Sequence, residues 1–356
     1  MNLDAADPVA PAIAPAQPVD RRSSRPAALR VALGVAWVAV AGATAVTAAR
    51  VAGGDQHTPL IELAVLVPFA AVALLGGVAL GLVARSRRLA AISAALLAVQ
   101  VVWLAPVFGL GARQPGDLTG AAAVHVLEFN TLTGLADPAA IVATIRERRI
   151  DVFAVEELTP QLVHGLRDAG LLGELPYRVG GPNWGAAGTA IYSRWPVTEL
   201  ADIEGTTFLM PRATIRLPNQ AVLTVTAVHT LSPLPGRVQG WRTDLSLLDA
   251  AVSATTGPQL VLGDFNATRD HAGLRRLLDG PAGLADSAET VGLLGGAWPG
   301  FTWPADTWWL PPFMRLDHVL VTPGSVAVRS LDVLSLPGSD HRALAATLAV
   351  ARPAAP

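Results

Sequence analysis

The chain has 356 residues, with 26 basic and 28 acidic side chains and a formal net charge of −2. Hydrophobic residues make up 51% and charged residues only 15%, against roughly 25% charged in an average soluble domain, so membrane segments are expected. Cysteine is absent, which excludes disulfides, thiolate metal sites and a cysteine nucleophile.

Residues 1–27 are rich in Ala, Pro, Asp and Arg without periodicity and read as a disordered cytoplasmic tail. Three uncharged apolar runs follow, 31–49, 63–84 and 89–112. Each has about the 20 residues a helix needs to cross roughly 30 Å of hydrocarbon, so residues 28–112 are expected to form three transmembrane helices. Arg21, Arg22, Arg25 and Arg30 precede the first run, and Arg85, Arg87 and Arg88 separate the second from the third. By the excess of Arg on cytoplasmic loops, the N-terminus is cytoplasmic in a multi-pass protein of the cell membrane. Everything after Arg113 then lies on the extracytoplasmic side.

Residues 113–120 form a short polar linker to a domain spanning 121–351. There the pattern changes to short apolar runs that read as strands: 124–129, 152–155, 189–192, 222–228, 259–262, 318–321 and 344–349. Amphipathic helices are expected at 139–149, 161–169 and 238–255. Hairpin-length gaps mixed with helical crossovers indicate a layered α/β domain. The charge is divided unevenly: residues 114–356 carry 17 Arg against 23 acids, so this half lacks the basic excess of a general nucleic-acid binder.

The strand-like runs end in chemistry-bearing residues: Asn130, Glu156-Glu157, His229 and Gly263-Asp264-Phe265-Asn266. The last two strands are entered through Arg315-Leu316-Asp317-His318 and Ser339-Asp340-His341-Arg342. Carboxylates and amides are the ligands of a hard divalent ion, and His–carboxylate pairs handle protons. Singly, each residue has a plain structural explanation as a turn former, a helix cap or a core histidine. As an ordered set in one domain they point to chemistry.

In order along the chain, "VHVLEFNTLTG", "DVFAVEEL", "GTAIYSRWPV", "LTVTAVHT", "LVLGDFNATRD", "RLDHVLV" and "GSDHRAL" resemble the motifs of the endonuclease/exonuclease/phosphatase superfamily, the deoxyribonuclease I-like fold. The resemblance covers about 120–350. It implies a four-layer α/β/β/α sandwich of two packed mixed sheets and hydrolysis of phosphoester bonds with Mg²⁺, or with Mn²⁺ or Ca²⁺. Carried over, Glu157 holds the metal, with Asn130 and Asp340 nearby, and Glu156 stands where the family has Gln. His341 oriented by Asp317 is the proton-handling pair. Asp264 and Asn266 position water and phosphate, and His229 donates to a phosphate oxygen. Which of Asp264 and His341 is the base stays open. Leu132 stands where some nuclease members carry a second acidic residue.

The expected partners are the bilayer and a phosphate-ester substrate, either nucleic acid or a lipid headgroup. A nuclease-like activity is the first expectation. A phospholipase- or sphingomyelinase-like phosphodiesterase and a non-catalytic binding module are the alternatives. Arg212, Arg242 and Arg315 are candidate phosphate contacts. The apolar stretch Trp308, Trp309, Leu310, Phe313 and Met314 is expected either to pack internally or to meet substrate or bilayer.

Overall fold

The computed structural model describes residues 26–53, 55–110, 118–292 and 300–353. Most of the expected tail (1–25) and most of the expected linker (113–117) lie outside the described residues. In chain order the elements are α1 (Ala27–Val51), α2 (Thr58–Ala64), α3 (Val67–Val83), α4 (Arg87–Leu104), β1 (Ala122–Asn130), α5 (Pro138–Glu147), β2 (Val152–Glu156), α6 (Pro160–Asp168) and α7 (Leu171–Glu174). There follow β3 (Tyr177–Gly181), β4 (Thr189–Ser193), β5 (Val197–Leu200), β6 (Arg212–Arg216), β7 (Val222–His229), α8 (Val238–Ser253), β8 (Gln259–Asp264) and α9 (Ala272–Asp279). Last come β9 (Ala285–Asp286), α10 (Ser287–Val291), β10 (Asp317–Val321), β11 (Val326–Leu334) and β12 (Ala343–Val350).

The strands form two mixed six-stranded sheets, ordered β11-β12-β1-β2-β4-β3 and β5-β6-β7-β8-β10-β9. Side chains alternate between faces with period two, and this alternation builds the layers. Val124 and Val126 of β1 and Val152 and Ala154 of β2 meet Leu223, Val225, Leu260 and Leu262 between the sheets. Leu127, Phe129, Phe153 and Val155 point the other way, under Ile141 and Ile145 of α5 and Leu162 of α6. Val261 and Leu320 pack under Trp241 and Leu245 of α8 and Leu274 of α9. The result is the expected four-layer α/β/β/α sandwich. All seven expected strands are present, each one or two residues longer at one end or both. Strands β3, β5, β6, β9 and β11 were missed: the first four have five residues or fewer, too few for alternation to show, and β11 is an edge strand whose register shifts at Val328/Ser330.

Two helices, Ala27–Val51 and Arg87–Phe108, are long and apolar enough to cross a membrane. The expected second span, 63–84, is broken: α2 and α3 meet at a 59° bend and pass the same test only as a pair. Pro68 stands in the first turn of α3. It lacks an N–H and excludes a continuous helix through Leu63–Val67. Leu33, Val40 and Val46 of α1 pack on Val67 and Leu74 of α3 and on Leu89 of α4.

One end of this bundle abuts the sandwich. Arg50 Nε lies 3.0 Å from Asp270 Oδ1, and Phe69 of α3 meets Phe301 and Phe313 at centroid distances of 6.3 and 6.5 Å. Ile61 of α2 joins the core under α8 and α9, and its carbonyl is 3.1 Å from His271 Nε2. Asp55, between α1 and α2, caps α9 from outside: its carboxylate accepts from Ala272 N at 3.0 Å and Gly273 N at 2.6 Å. The residue before that helix makes no side-chain cap bond of its own. Asp55→Ala leaves those buried donors unpaired and lowers stability by about 1–2 kcal/mol. A lower thermal midpoint of the full chain in detergent is the expected reading; an unchanged midpoint would show that the cap contributes nothing.

Candidate active site

The strand ends that carry the site are set by the same two-residue period. The face of β1 that puts Val124 and Val126 between the sheets also puts Glu128 and Asn130 there. In the same way β2 presents Glu156, β7 His229, β8 Asp264 and β10 Asp317, each at its last inward position at one end of the sandwich. Register aligns them: Asn130 pairs with Glu156, His229 with Asp264, and Asp317 with Asp264. His341 enters just before β12, which runs antiparallel to β1 and so begins at the same end. Glu157 follows the inward Glu156 directly and reaches the site through a left-handed backbone, φ 55°. Leu132, Thr133 and Asn266 share this conformation (φ 47°, 50° and 45°). Such strained residues gather at functional sites. Gly263 sits at φ 142°, where an added Cβ would strike the Val228 carbonyl; only glycine lets β8 lie this close to β7 at the "GDFN" turn.

The resulting geometry is tight. His341 Nδ1 lies 3.1 and 2.9 Å from the two oxygens of Asp317, and its Nε2 is 3.8 Å from Asp264 Oδ2. Asp264 accepts from Asn266 N at 2.8 Å, Asn130 Nδ2 at 3.0 Å and Asn266 Nδ2 at 3.2 Å. Asn130 Nδ2 also donates to Glu157 Oε1 at 3.3 Å, while its Oδ1 accepts from Leu132 N. Glu157 Oε2 accepts from Thr133 N at 2.6 Å. His229 stacks on Phe208 with centroids 4.7 Å apart, its Nε2 3.8 Å from Glu157 and 3.9 Å from Asp264. Asp340 lines the same cavity but its carboxylate accepts from Trp303 Nε1 at 3.0 Å.

Burial works against charge on His341, yet the Asp317 and Asp264 carboxylates push it up to about 10, so the ring is an imidazolium at neutral pH. Burial raises Asp264 to about 6 although His341 opposes it. Burial lowers His229 and keeps it neutral. Asp264, Asp317 and His341 stand close enough to hold a metal ion, their ligand atoms lying within 4.8 Å of one another.

Of the residues expected from sequence, Asn130, Glu157, His229, Asp264, Asn266, Asp317 and His341 converge. Arg315 does not line this cavity: its Nε donates to Gly300 O and its Nη1 lies 3.8 Å from Asp286. Arg212 donates to Thr255 and Arg242 to Gln56 and Gln239, so both are engaged elsewhere. The arginine that lines the cavity is Arg237, which sequence reasoning missed because it belongs to no motif and stands in the turn just before α8.

Glu128 was missed too, although its two-residue offset from Asn130 marked it as inward. Glu128 and Glu156 are fully buried; no N–H or hydroxyl donates to their four oxygens, and Glu128 lies within hydrogen-bond reach of the Asp317 and Glu156 carboxyls. Burial first, then the neighbouring Asp317 charge, pushes both well above the usual carboxylate range. In the folded state they keep a proton that the unfolded chain releases above about pH 4.3. Stability therefore falls as pH rises, by about 1.4 kcal/mol per unit for each such group, until the folded value is reached. Glu128→Gln removes one of these slopes. In EDTA, its unfolding free energy should gain on the native chain from pH 5 to pH 8; parallel pH curves would show that Glu128 is ionised in the folded state as it is in the unfolded chain.

The family model described as Endonuclease/Exonuclease/phosphatase family matches residues 127–341, more than half of the chain, and the chain belongs to that family of phosphoester hydrolases. Among solved structures it is similar to a humanized D. rerio TDP2 carrying 14 mutations, at 18% identity, covering 64% of this chain and 98% of that one, TM-score 0.52. It is similar to D. rerio TDP2 complexed with single-strand DNA product at 19% identity, over 64% and 99% of the two chains, TM-score 0.52. The human Nocturnin catalytic domain with bound sulfate aligns at 18% identity over 67% of this chain and 100% of that one, TM-score 0.48. No curated protein matched the sequence.

Proposed function

We propose that the chain is a membrane-anchored, metal-dependent phosphoester hydrolase whose catalytic domain, residues 121–351, works on the extracytoplasmic side. The observation that carries this reading is the pairing of an imidazolium, His341 on Asp317, with a carboxylate raised to about 6, Asp264, 3.8 Å away. Two groups whose affinities for protons are pushed apart divide the work of acid and base. Asp264 is ionised at neutral pH and accepts the proton of the attacking water. His341 keeps its proton and donates to the phosphoryl or leaving oxygen. Asp317 fixes the ring and stabilises its charge. Asn266 spends both amide hydrogens on Thr230 O and Asp264 and so positions the carboxylate. Neutral His229 donates towards a phosphate oxygen.

The residues present fit a hard divalent ion such as Mg²⁺: Glu157 and Asp340 are oxygen donors that both line the cavity. Asn130 aims its amide hydrogens at Glu157 and Asp264 and its oxygen is taken by Leu132 N, so it serves as the spacer that holds the two carboxylates apart. The Asp264–Asp317–His341 group is the weaker candidate for the ion, because a protonated imidazole offers no lone pair. When bound, the ion neutralises charge that builds on the phosphoryl oxygens.

The sidedness is supported by the bundle. Arg50, Val67 and Phe108 mark the end that abuts the sandwich, while Arg30, Arg85, Arg87 and Arg88 lie at the other end; Arg-rich ends stay cytoplasmic. The test is hydrolysis of bis(4-nitrophenyl) phosphate by the full chain in detergent, with Mg²⁺ or EDTA. Turnover that needs Mg²⁺ and vanishes in His341→Ala is expected. Equal turnover in EDTA would remove the metal, and equal turnover in His341→Ala would remove the dyad.

A further inference from the structure

The catalytic cavity, about 670 Å³, is lined by Glu157, His229, Asp264 and His341 together with Ile61 and Val65 from the segment around α2. At Val65, Phe313 and Met314 it meets a second cavity of about 460 Å³. That second cavity runs along Ala71, Val72 and Leu75 of α3 and Leu97, Val101 and Leu104 of α4. Leu75 is 59% and Val101 57% exposed, so its outer side opens onto the face that a bilayer would cover. Trp308 and Trp309, 95% and 66% exposed, project from the segment that carries Phe301 and Phe313 onto Phe69 of α3. Amphipathic aromatic rings belong at the headgroup level. The two cavities thus adjoin across Val65, Phe313 and Met314, one lined by proton-handling groups and the other by apolar side chains of the helices long and apolar enough to cross a membrane.

The cations along these cavities do not suit a polynucleotide. Besides the His341 imidazolium, the catalytic cavity offers one arginine, Arg237. In the second, Arg269 is held by Glu289 at 2.9 Å and Asp279 at 3.1 Å, and Arg315 faces Asp286. Single strands are gripped by a basic groove with stacking rings along it, whereas a ligand with one phosphate and a long apolar chain needs polarity at one end only.

Building on the hydrolase reading above, we propose that the substrate is a phosphate ester carried on a long hydrocarbon chain, a membrane lipid, whose chain lies in the groove between α3, α4 and residues 301–314. The phosphate reaches His341 and Asp264 without the lipid leaving the bilayer. The chain contributes binding that a soluble ester cannot, so tailed substrates have the higher kcat/KM.

The test uses the full chain in phosphatidylcholine nanodiscs. Phosphatidylglycerol (a diester) and a polyprenyl phosphate (a monoester) are compared with the tail-free bis(4-nitrophenyl) phosphate and 4-nitrophenyl phosphate, and with single-stranded DNA. Leu75→Trp and Val101→Trp fill the groove at exposed positions and leave the catalytic groups untouched. Together they should lower kcat/KM for the tailed ester about tenfold, the equivalent of about 1.4 kcal/mol, and change the tail-free ester by less than about twofold. In parallel, phosphatidylglycerol with a photoreactive chain is cross-linked to metal-free protein. Labelled peptides containing Val101 or Met314, lost in the double variant, support the groove independently of turnover. Equal effects on tailed and tail-free esters, absent cross-links, or faster cleavage of DNA than of lipid would overturn the proposal while leaving the hydrolase in place. Turnover of none of these esters would instead remove the hydrolase reading itself.

Discussion

Asp317→Asn lowers turnover by roughly a thousandfold or more, the scale seen when the carboxylate behind a catalytic imidazole is neutralised. The reason is local. Asp317 is fully buried and both its oxygens face His341 Nδ1. An amide there presents an N–H as readily as an oxygen, and it removes the charge that holds the ring protonated against burial. The same loss moves the pH profile. In the native chain, activity rises as Asp264 loses its proton, with an acidic limb at or below about 6, since a bound cation can only favour the carboxylate. It falls as His341 deprotonates, at or below about 10, since the same cation disfavours the imidazolium. In Asp317→Asn the alkaline limb shifts down, because the largest favourable charge is gone while the burial penalty stays. Measuring kcat/KM from pH 4 to pH 11 for both proteins decides it. An alkaline limb that stays put would mean that it does not report His341.

Glu157→Gln should abolish metal-dependent turnover, a loss of roughly a thousandfold that corresponds to several kcal/mol of charge stabilisation. The substitution keeps size and the oxygen that faces Thr133 N, and gives up the 3.3 Å bond from Asn130 Nδ2, whose stronger bond to Asp264 remains, so folding is preserved. The direct readout is Mg²⁺ binding by calorimetry on the full chain, which should fall below detection. Unchanged Mg²⁺ affinity would take Glu157 out of the metal site and turn attention to Asp264 and Asp340.

Much of this was legible along the chain. Alternating apolar residues marked the seven principal strands, and the two-residue period then decided which polar end faced inward: Asn130 shares a face with Val124 and Val126, and Asp264 with Leu260 and Leu262. The motif residues were readable because strand ends and turns need few residues to be specified. The broken second span was not anticipated, since a run from 63 to 84 without charge looks continuous until Pro68 is weighed against its missing N–H. The arginines misled for another reason. Arg212, Arg242 and Arg315 are each engaged by partners far away in sequence, and such pairings leave no trace in local pattern.

By itself, then, the sequence determined the two-part organisation, the layered α/β domain and most of the residues that meet at its rim, because these follow from local periodicity and short motifs. Only the tertiary structure decided that Asp317 and Asp264 stand opposite each other across β10 and β8, that Glu128 and Glu156 lie fully buried among them, and that α2 lines the catalytic cavity. Those facts depend on the register between distant strands and on how the helical bundle docks, and both are set by burial of surfaces that are far apart in the chain.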